Sequence, residues 1–336
     1  MTRSGGVPRK PETGVGRELV RFARGFDPHL VRFLRAHVHN AHSRRQVLYG
    51  VSLSGTRERA FFSRLASEVC GVPWRQALPL AVAAECFIAS AFVADDVMDR
   101  AETRWSKPAV WVVWGKNQAW LTAELLNIAG HIALESVQPA SAASCLRRAL
   151  LTMTEGQALQ ISRHSACSKR ETIALARNRT GEFVEACFWG PSLLGGGKFM
   201  TPLRTIGSNF GIALQLADDV LDFIGDEQTM GKPILHDLLN GQPNIVLAHA
   251  LSGKSTAQSH LVARWLGKGT HNHPARVAPI IRALEELGSI DYGRMMVTRY
   301  LKKANEGVLE IPEGRARRLL KRIVDPALLL PIGHGR

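Results

Sequence analysis

The chain has 336 residues, 45% of them hydrophobic and 21% charged, a balance that supports a sizeable core and excludes a disordered polymer. Its formal net charge is +14, so candidate partners are a polyanion, a membrane surface or a phosphorylated substrate. Five cysteines, Cys70, Cys86, Cys145, Cys167 and Cys187, are odd in number and form no Cys-x-x-Cys pair, which points to reduced thiols and a cytoplasmic location.

Residues 1 to 17 are rich in Gly, Pro and basic residues and lack the apolar run of a secretory signal, so they read as a flexible basic tail before a single domain over 18 to 336. Apolar residues then recur at three- and four-residue spacing almost to the end of the chain, the pattern of helices. Punctuation at Gly71-Val72-Pro73, Gln138-Pro139, Gly195-Gly196-Gly197, Gly231-Lys232-Pro233 and Gly267 to Pro274 divides them. The intervals of about 20 to 30 residues suit the helices of a bundle, so an all-α fold of ten or more helices is expected. The longest apolar stretch, Ala77 to Ala94, contains Pro79, Glu85 and Ser90 and runs into Asp95-Asp96. A bilayer span does not end in this way, so the stretch reads as a buried core helix and not as a transmembrane segment. Gly195 to Gly197 lacks the form of a phosphate loop and reads as a helix-ending turn. His37, His39 and His42, like His271 and His273, have no partner at zinc spacing. No nucleic-acid module accompanies the basic balance, and nucleic acid is not expected as a partner.

Two acidic clusters stand out, Asp95-Asp96-Val97-Met98-Asp99 and Asp218-Asp219-Val220-Leu221-Asp222, each after a run that reads as buried helix. The spacing puts the first and last carboxylates of each cluster one turn apart on one face, where they repel unless a cation lies between them. Mg²⁺ favours one or two carboxylates plus water and phosphate oxygens, so a facing pair of such helix ends suits a diphosphate better than a protein-only metal cage.

The stretches AECFIASAFVADDVMDRAETRWSKPAVWVVWG and FGIALQLADDVLDFIGDEQTMGKPILHDLLNG resemble the two aspartate-rich regions of trans-isoprenyl diphosphate synthases, the polyprenyl synthetase family. The likeness extends through EGQAL, RTGEF and ALEELGSIDYGR and covers roughly residues 50 to 325. It implies a class I isoprenoid synthase-type bundle with a central cavity, a homodimer formed near residues 108 to 164, and three Mg²⁺ ions as cofactor. It further implies Asp95, Asp99 and Asp218 as direct metal ligands and Asp222 within the metal set, with Asp96 and Asp219 in support. Arg104, Arg179 and Lys232 match positions that hold an allylic prenyl diphosphate, and Arg179 stands where Lys is usual. Thr180 and Gln215 match positions beside the reaction centre. Ser90 and Ala91 take the places where bulky residues close the hydrophobic tunnel, so a C20 or longer prenyl chain fits unless Phe87 or Phe92 closes it elsewhere.

The departures concern the second substrate of that family, isopentenyl diphosphate. In Gly55-Thr56-Arg57-Glu58-Arg59, Thr56 replaces the expected Lys and Arg57 is read as the retained substrate contact. Ile88 stands for a His or Gln, Trp105 for a second Arg, and Gln242 for a Lys, while Leu235 and Val246 replace a usual Gly and Pro. Elongation with isopentenyl diphosphate is therefore expected to be impaired unless Arg59 or another cation compensates. Trp105 leaves two readings, an aromatic face near a carbocation or a packing residue in a loop. Three functions stay open: a prenyltransferase that uses isopentenyl diphosphate or an unusual acceptor, a terpene cyclase that keeps only the ionisation, and a modulating subunit of an active synthase.

Overall fold

The computed structural model describes residues 14–162, 167–225, 235–268 and 277–330. Helices α1 (Gly14–His37), α2 (Ala41–Ser52) and α3 (Glu58–Cys70) lead into α4 (Trp74–Met98). The first turn of α1 takes up residues 14–17, which the sequence assigns to the tail, because Val15 and Gly16 are buried at its start. Residues 1–13 lie outside the described residues.

Nearly every residue of α4 from Ala77 to Ala89 is inside the protein, and residues 80–89 form an unbroken buried run. A helix that is apolar all round has no face to give to water, so it becomes the axis around which others pack. It is the one described helix long and apolar enough to cross a bilayer, and its burial fits the reading of a core helix.

After α4 comes a feature outside the all-helical expectation, a hairpin of β1 (Thr103–Arg104) and β2 (Lys107–Pro108) with Arg104 opposite Lys107. Trp105 and Ser106 form its two-residue turn, at φ 54° and 58°. Positive φ at both central positions matches the right-handed twist of the strands, although Asn-Gly is the usual pair there.

Helices α5 (Val110–Trp114), α6 (Lys116–Ala133) and α7 (Ala140–Ser162) follow, and α6 packs closely along α4. Next, α8 (Lys169–Ala176) passes through a π turn at Arg177–Gly181 into α9 (Glu182–Leu194), with no break in the rod. As expected, α9 ends in the glycine run, with Gly196 and Gly197 at φ 71° and 81°. The second axial helix, α10 (Met200–Ile224), meets α9 almost backbone to backbone. A Cβ at Gly207 would lie 2.6 Å from the Glu185 Cα, and one at Gly211 would lie 2.8 Å from the Gly181 Cα. Only glycine permits this approach, which brings the π turn against the middle of α10.

The C-terminal part is more finely divided than the spacing suggests. Helices α11 (His236–Asn240), α12 (Ile245–Leu251), α13 (Ala257–Trp265) and α14 (Val277–Glu286) are short, while α15 (Ser289–Leu309) runs along α10, and α16 (Arg315–Ile323) and α17 (Pro326–Leu329) close the chain. This is the all-α fold the periodicity implies, with two long buried helices whose C-terminal turns carry the acidic clusters.

Candidate active site

A cavity of about 1100 Å³ opens where α4, α6, α7, α10, α11, the π turn and the hairpin meet. Residues 80–89 of α4 are buried, with Phe87 and Ile88 against this space, and Ser90, Ala91, Phe92, Ala94 and Asp95 form more of its wall. Ser90 donates its hydroxyl to the Ala123 carbonyl (2.7 Å), so its polar group is satisfied inside an otherwise apolar stretch. Phe87, fully buried, reaches the cavity two helical turns before Asp95, about 12 Å along the axis.

The first cluster is built into a charge network. Arg104, at the end of β1, grips Asp96 with Nη2 (2.7 Å) and Nε (3.0 Å) to Oδ1, and its guanidinium lies 4.5 Å over the Phe92 ring. Asp96 is 2% exposed, and burial raises its pKa against the lowering effect of Arg104. Asp95 accepts a hydrogen bond from Gln157 Nε2 (2.8 Å), whose Oε1 accepts from Arg179 Nε (2.9 Å). Gln157 thus links a predicted metal ligand to a predicted diphosphate-binding cation. It lies in the EGQAL stretch, and its position there was the one available signal. Asp99 completes the group, its pKa pushed up to about 6 by burial and the neighbouring Asp95, against His236 and Arg179.

The second cluster faces the same space. Asp218 and Asp219 line the cavity, and Asp219 accepts from the Ile245 backbone N–H (2.9 Å) and from Gln215 Nε2 (3.3 Å). Thr180 donates to Gln215 Oε1 (2.8 Å), so the π turn that presents Arg179 and Thr180 is tied to α10. π turns inserted in α-helices are common where function needs a shifted side chain. Burial and the charge of Asp237 push the Asp219 pKa up to about 8. Asp237 and His236, which the sequence did not single out, also line the cavity, and Asn244 Nδ2 holds Asp237 at 2.7 Å.

Crowded, desolvated carboxylates with raised pKa values favour whatever positive charge can replace a proton. Their all-oxygen donor set is that of a hard divalent ion. Among the described residues no three His, Cys, Asp or Glu side chains converge closely enough to hold a metal ion by themselves.

Three of the expected site residues are not found on the cavity wall. Asp222 is not on the cavity wall. It is 1% exposed and its two oxygens accept the His236 and Asp237 backbone N–H groups (3.2 and 3.1 Å), so it caps α11 and positions the residues that do face the cavity. Arg57 is not there either. Standing before α3 at φ 65°, it buries its guanidinium against Asp27 (2.7 Å), Ser54 Oγ (2.7 Å) and the Val51 carbonyl (2.9 Å). Arg59, two residues on, lines the cavity instead, together with Ile88, Trp105 and Gln242, while Thr56 does not. Lys232 falls outside the described residues.

The Polyprenyl synthetase family model matches residues 41–284, more than half of the chain. The chain belongs to this family. It is 26% identical over 283 residues to the short chain isoprenyl diphosphate synthase of Methanothermobacter thermautotrophicus, covering 82% of this chain and 86% of that protein. Its structure superposes on the geranylgeranyl pyrophosphate synthetase of Pyrococcus horikoshii with a TM-score of 0.84 at 27% identity, over 92% and 96% of the two chains. The fold is shared as well with a Caulobacter crescentus polyprenyl synthase complexed with calcium and isoprenyl diphosphate, at a TM-score of 0.85, 23% identity, and coverage of 98% and 100%. The protein is accordingly a prenyltransferase with the all-α isoprenoid synthase fold, as the aspartate-rich motifs implied.

Proposed function

We propose that the enzyme ionises an allylic prenyl diphosphate with the help of Mg²⁺ and transfers the prenyl group to a second substrate in the same cavity. The observation that carries this reading is the meeting of both carboxylate clusters, Arg104 and Arg179 at a cavity that is also lined by Phe87, Ala91, Phe183, Val184 and Leu214. Bound Mg²⁺ would be held by Asp95, Asp99 and Asp218, and would neutralise the charge that grows on a departing diphosphate. Arg104 and Arg179 add fixed cationic donors, each held in place by a partner on its inner side. Gln215 and Thr180 present oriented dipoles beside that point, and Phe87, Ala91, Phe183 and Val184 exclude water from the hydrocarbon chain.

We also infer a homodimer. Val112, Val113, Trp120, Leu121, Ile128, Leu151 and Ile161 on α5, α6 and α7 are all at least 45% exposed, within the span the resemblance assigns to the interface. All five cysteines are buried as thiols, which suits a reducing cytoplasm.

The test is release of inorganic diphosphate from farnesyl or geranylgeranyl diphosphate with Mg²⁺ or with a chelator. Release should need the metal and fall at least ~100-fold in Asp95→Ala and in Asp218→Ala, the scale of losing a principal charge-stabilising group. Near-normal release in both variants would remove the assignment. A cyclase is the second reading, favoured by Ile88 and Trp105 where phosphate ligands are expected, and a cyclic hydrocarbon formed from the allylic substrate alone would establish it.

A further inference from the structure

The acceptor side of the cavity differs in charge from the diphosphate side. Around Arg59 lie Arg57 and the carboxylates of Asp27, Glu58 and Glu85. Arg57 is paired with Asp27 at 2.7 Å and stands 3.7 Å from Glu85, and Arg59 Nη1 is 3.8 Å from Glu58. Two guanidinium groups therefore face three acids. Burial raises the Glu85 pKa, against the lowering effect of Arg57, so at most the group is balanced. A diphosphate, with two or more negative charges, would meet here two guanidinium groups that each already have a carboxylate within 4 Å and, among the described residues, no acidic cluster of the kind that could bring metal ions to it.

One donor nevertheless faces the space. Arg59 is 8% exposed, and its guanidinium-bearing side chain lines the cavity. A guanidinium at the wall can donate to one acceptor atom of a bound molecule.

The surfaces beside it are flat or apolar. Trp105 lines the cavity at a positive φ, which a bulky residue adopts at a cost. Its indole N–H donates to the Leu53 carbonyl (3.1 Å), which fixes the ring at the end of α2. The usual residues of this turn would be easier on the backbone but would provide no aromatic face. Ile88, 6% exposed, offers a second apolar contact.

We infer that the second substrate is an electron-rich aromatic molecule without a diphosphate, seated against Trp105 and Ile88, with one carbonyl, hydroxyl or carboxylate oxygen toward the Arg59 guanidinium. The inference rests on the allylic ionisation proposed above. In the transfer, the bond between C1 of the allylic chain and the diphosphate oxygen breaks, and its electron pair leaves with the diphosphate. A ring carbon of the acceptor uses a π pair to form the new bond to C1. The proton on that carbon then passes to a diphosphate oxygen, which restores the aromatic ring with no change of oxidation state.

Full-length enzyme with Mg²⁺ and farnesyl or geranylgeranyl diphosphate should be given isopentenyl diphosphate or one of three probes, indole, 1-naphthol and 4-hydroxybenzoate. Diphosphate release and product masses are both read. At least one aromatic probe should be alkylated at least tenfold faster than isopentenyl diphosphate is extended. Trp105→Ala should lower the ratio of aromatic to isopentenyl product at least tenfold, Trp105→Phe should retain more of it, and Trp105→Arg should shift it furthest toward isopentenyl diphosphate. Efficient extension of isopentenyl diphosphate by the wild type overturns the inference. Release of diphosphate with none of the three probes alkylated overturns it too, and a hydrocarbon product then supports the cyclase. Absence of release under every condition removes the ionisation reading itself, and the acceptor class with it.

Discussion

Arg57 and Arg59 differ by two positions and by their whole role. The segment Gly55 to Arg59 was recognisable in sequence, but which arginine lines the cavity was not. Direction is decided by the turn between α2 and α3, where Arg57 adopts φ 65° and α3 starts only at Glu58. No local pattern announces a left-handed arginine, because its cost is offset by tertiary partners, Asp27, Ser54 and the Val51 carbonyl. Gln157 escaped assignment for a similar reason, since an uncharged side chain gains its meaning only from Asp95 and Arg179 on other elements. The distinction is measurable. Removing one member of a buried pair costs about 3–5 kcal/mol, and because Asp27 is 46% exposed a smaller loss of about 2 kcal/mol is expected for Arg57→Met. Urea unfolding should show that loss, while Arg59→Met should alter acceptor use with much less effect on the midpoint. Equal stability of Arg57→Met and the wild type would contradict the structural role given to Arg57.

At the level of elements, the helical character of α4 and α10 and the placing of carboxylates on their last turns were legible, since both follow from apolar runs that end abruptly in acids. Two local departures from the regular helix were not. The π turn that carries Arg179 and Thr180 has no composition of its own, and the hairpin at Trp105 uses residues that a turn does not favour. The hydrophobic floor was half legible. Ser90 and Ala91 mark an open stretch of tunnel, and the structure adds what lies beneath, Phe87, whose ring fits against α6 only because residue 130 is glycine. A Cβ there would stand 2.4 Å from the ring, and His131 meets the same ring at 5.0 Å between centroids. Phe87→Ala should therefore deepen the cavity and shift the preferred allylic diphosphate to a longer chain by at least one isoprene unit. The reading is kcat/KM over a series of donors. Overpacking costs about 1–3 kcal/mol, so Gly130→Ala should be destabilising by that amount and should shorten the preferred chain if it drives Phe87 inward. An unchanged chain preference in both variants would show that the floor lies elsewhere.

For the whole molecule, the exposed apolar face of α5 to α7 and the catalytic cavity are not separate features. Trp120 and Leu151 belong to both, each lining the cavity while 46% and 59% exposed. A monomer therefore leaves one edge of a water-sensitive site next to solvent, whereas a second copy packed on this face would seal it. Sealing matters because an allylic cation formed beside water is lost as prenyl alcohol. Leu121 and Ile128 lie on the same face, 57% and 45% exposed, and are not part of the cavity lining, so they can be changed without touching the wall. In a two-fold interface each substitution is met twice. Leu121→Glu with Ile128→Glu places four unpaired carboxylates at the contact, enough to weaken association by ~100-fold or more, about 3 kcal/mol. Sedimentation should find the wild type dimeric and this variant monomeric at micromolar concentration. If the second copy does seal the site, the variant will still release diphosphate but will yield a larger share of prenyl alcohol. A monomeric wild type would dismiss the interface, and a monomeric variant with an unchanged product ratio would show that the cavity is closed by its own chain alone.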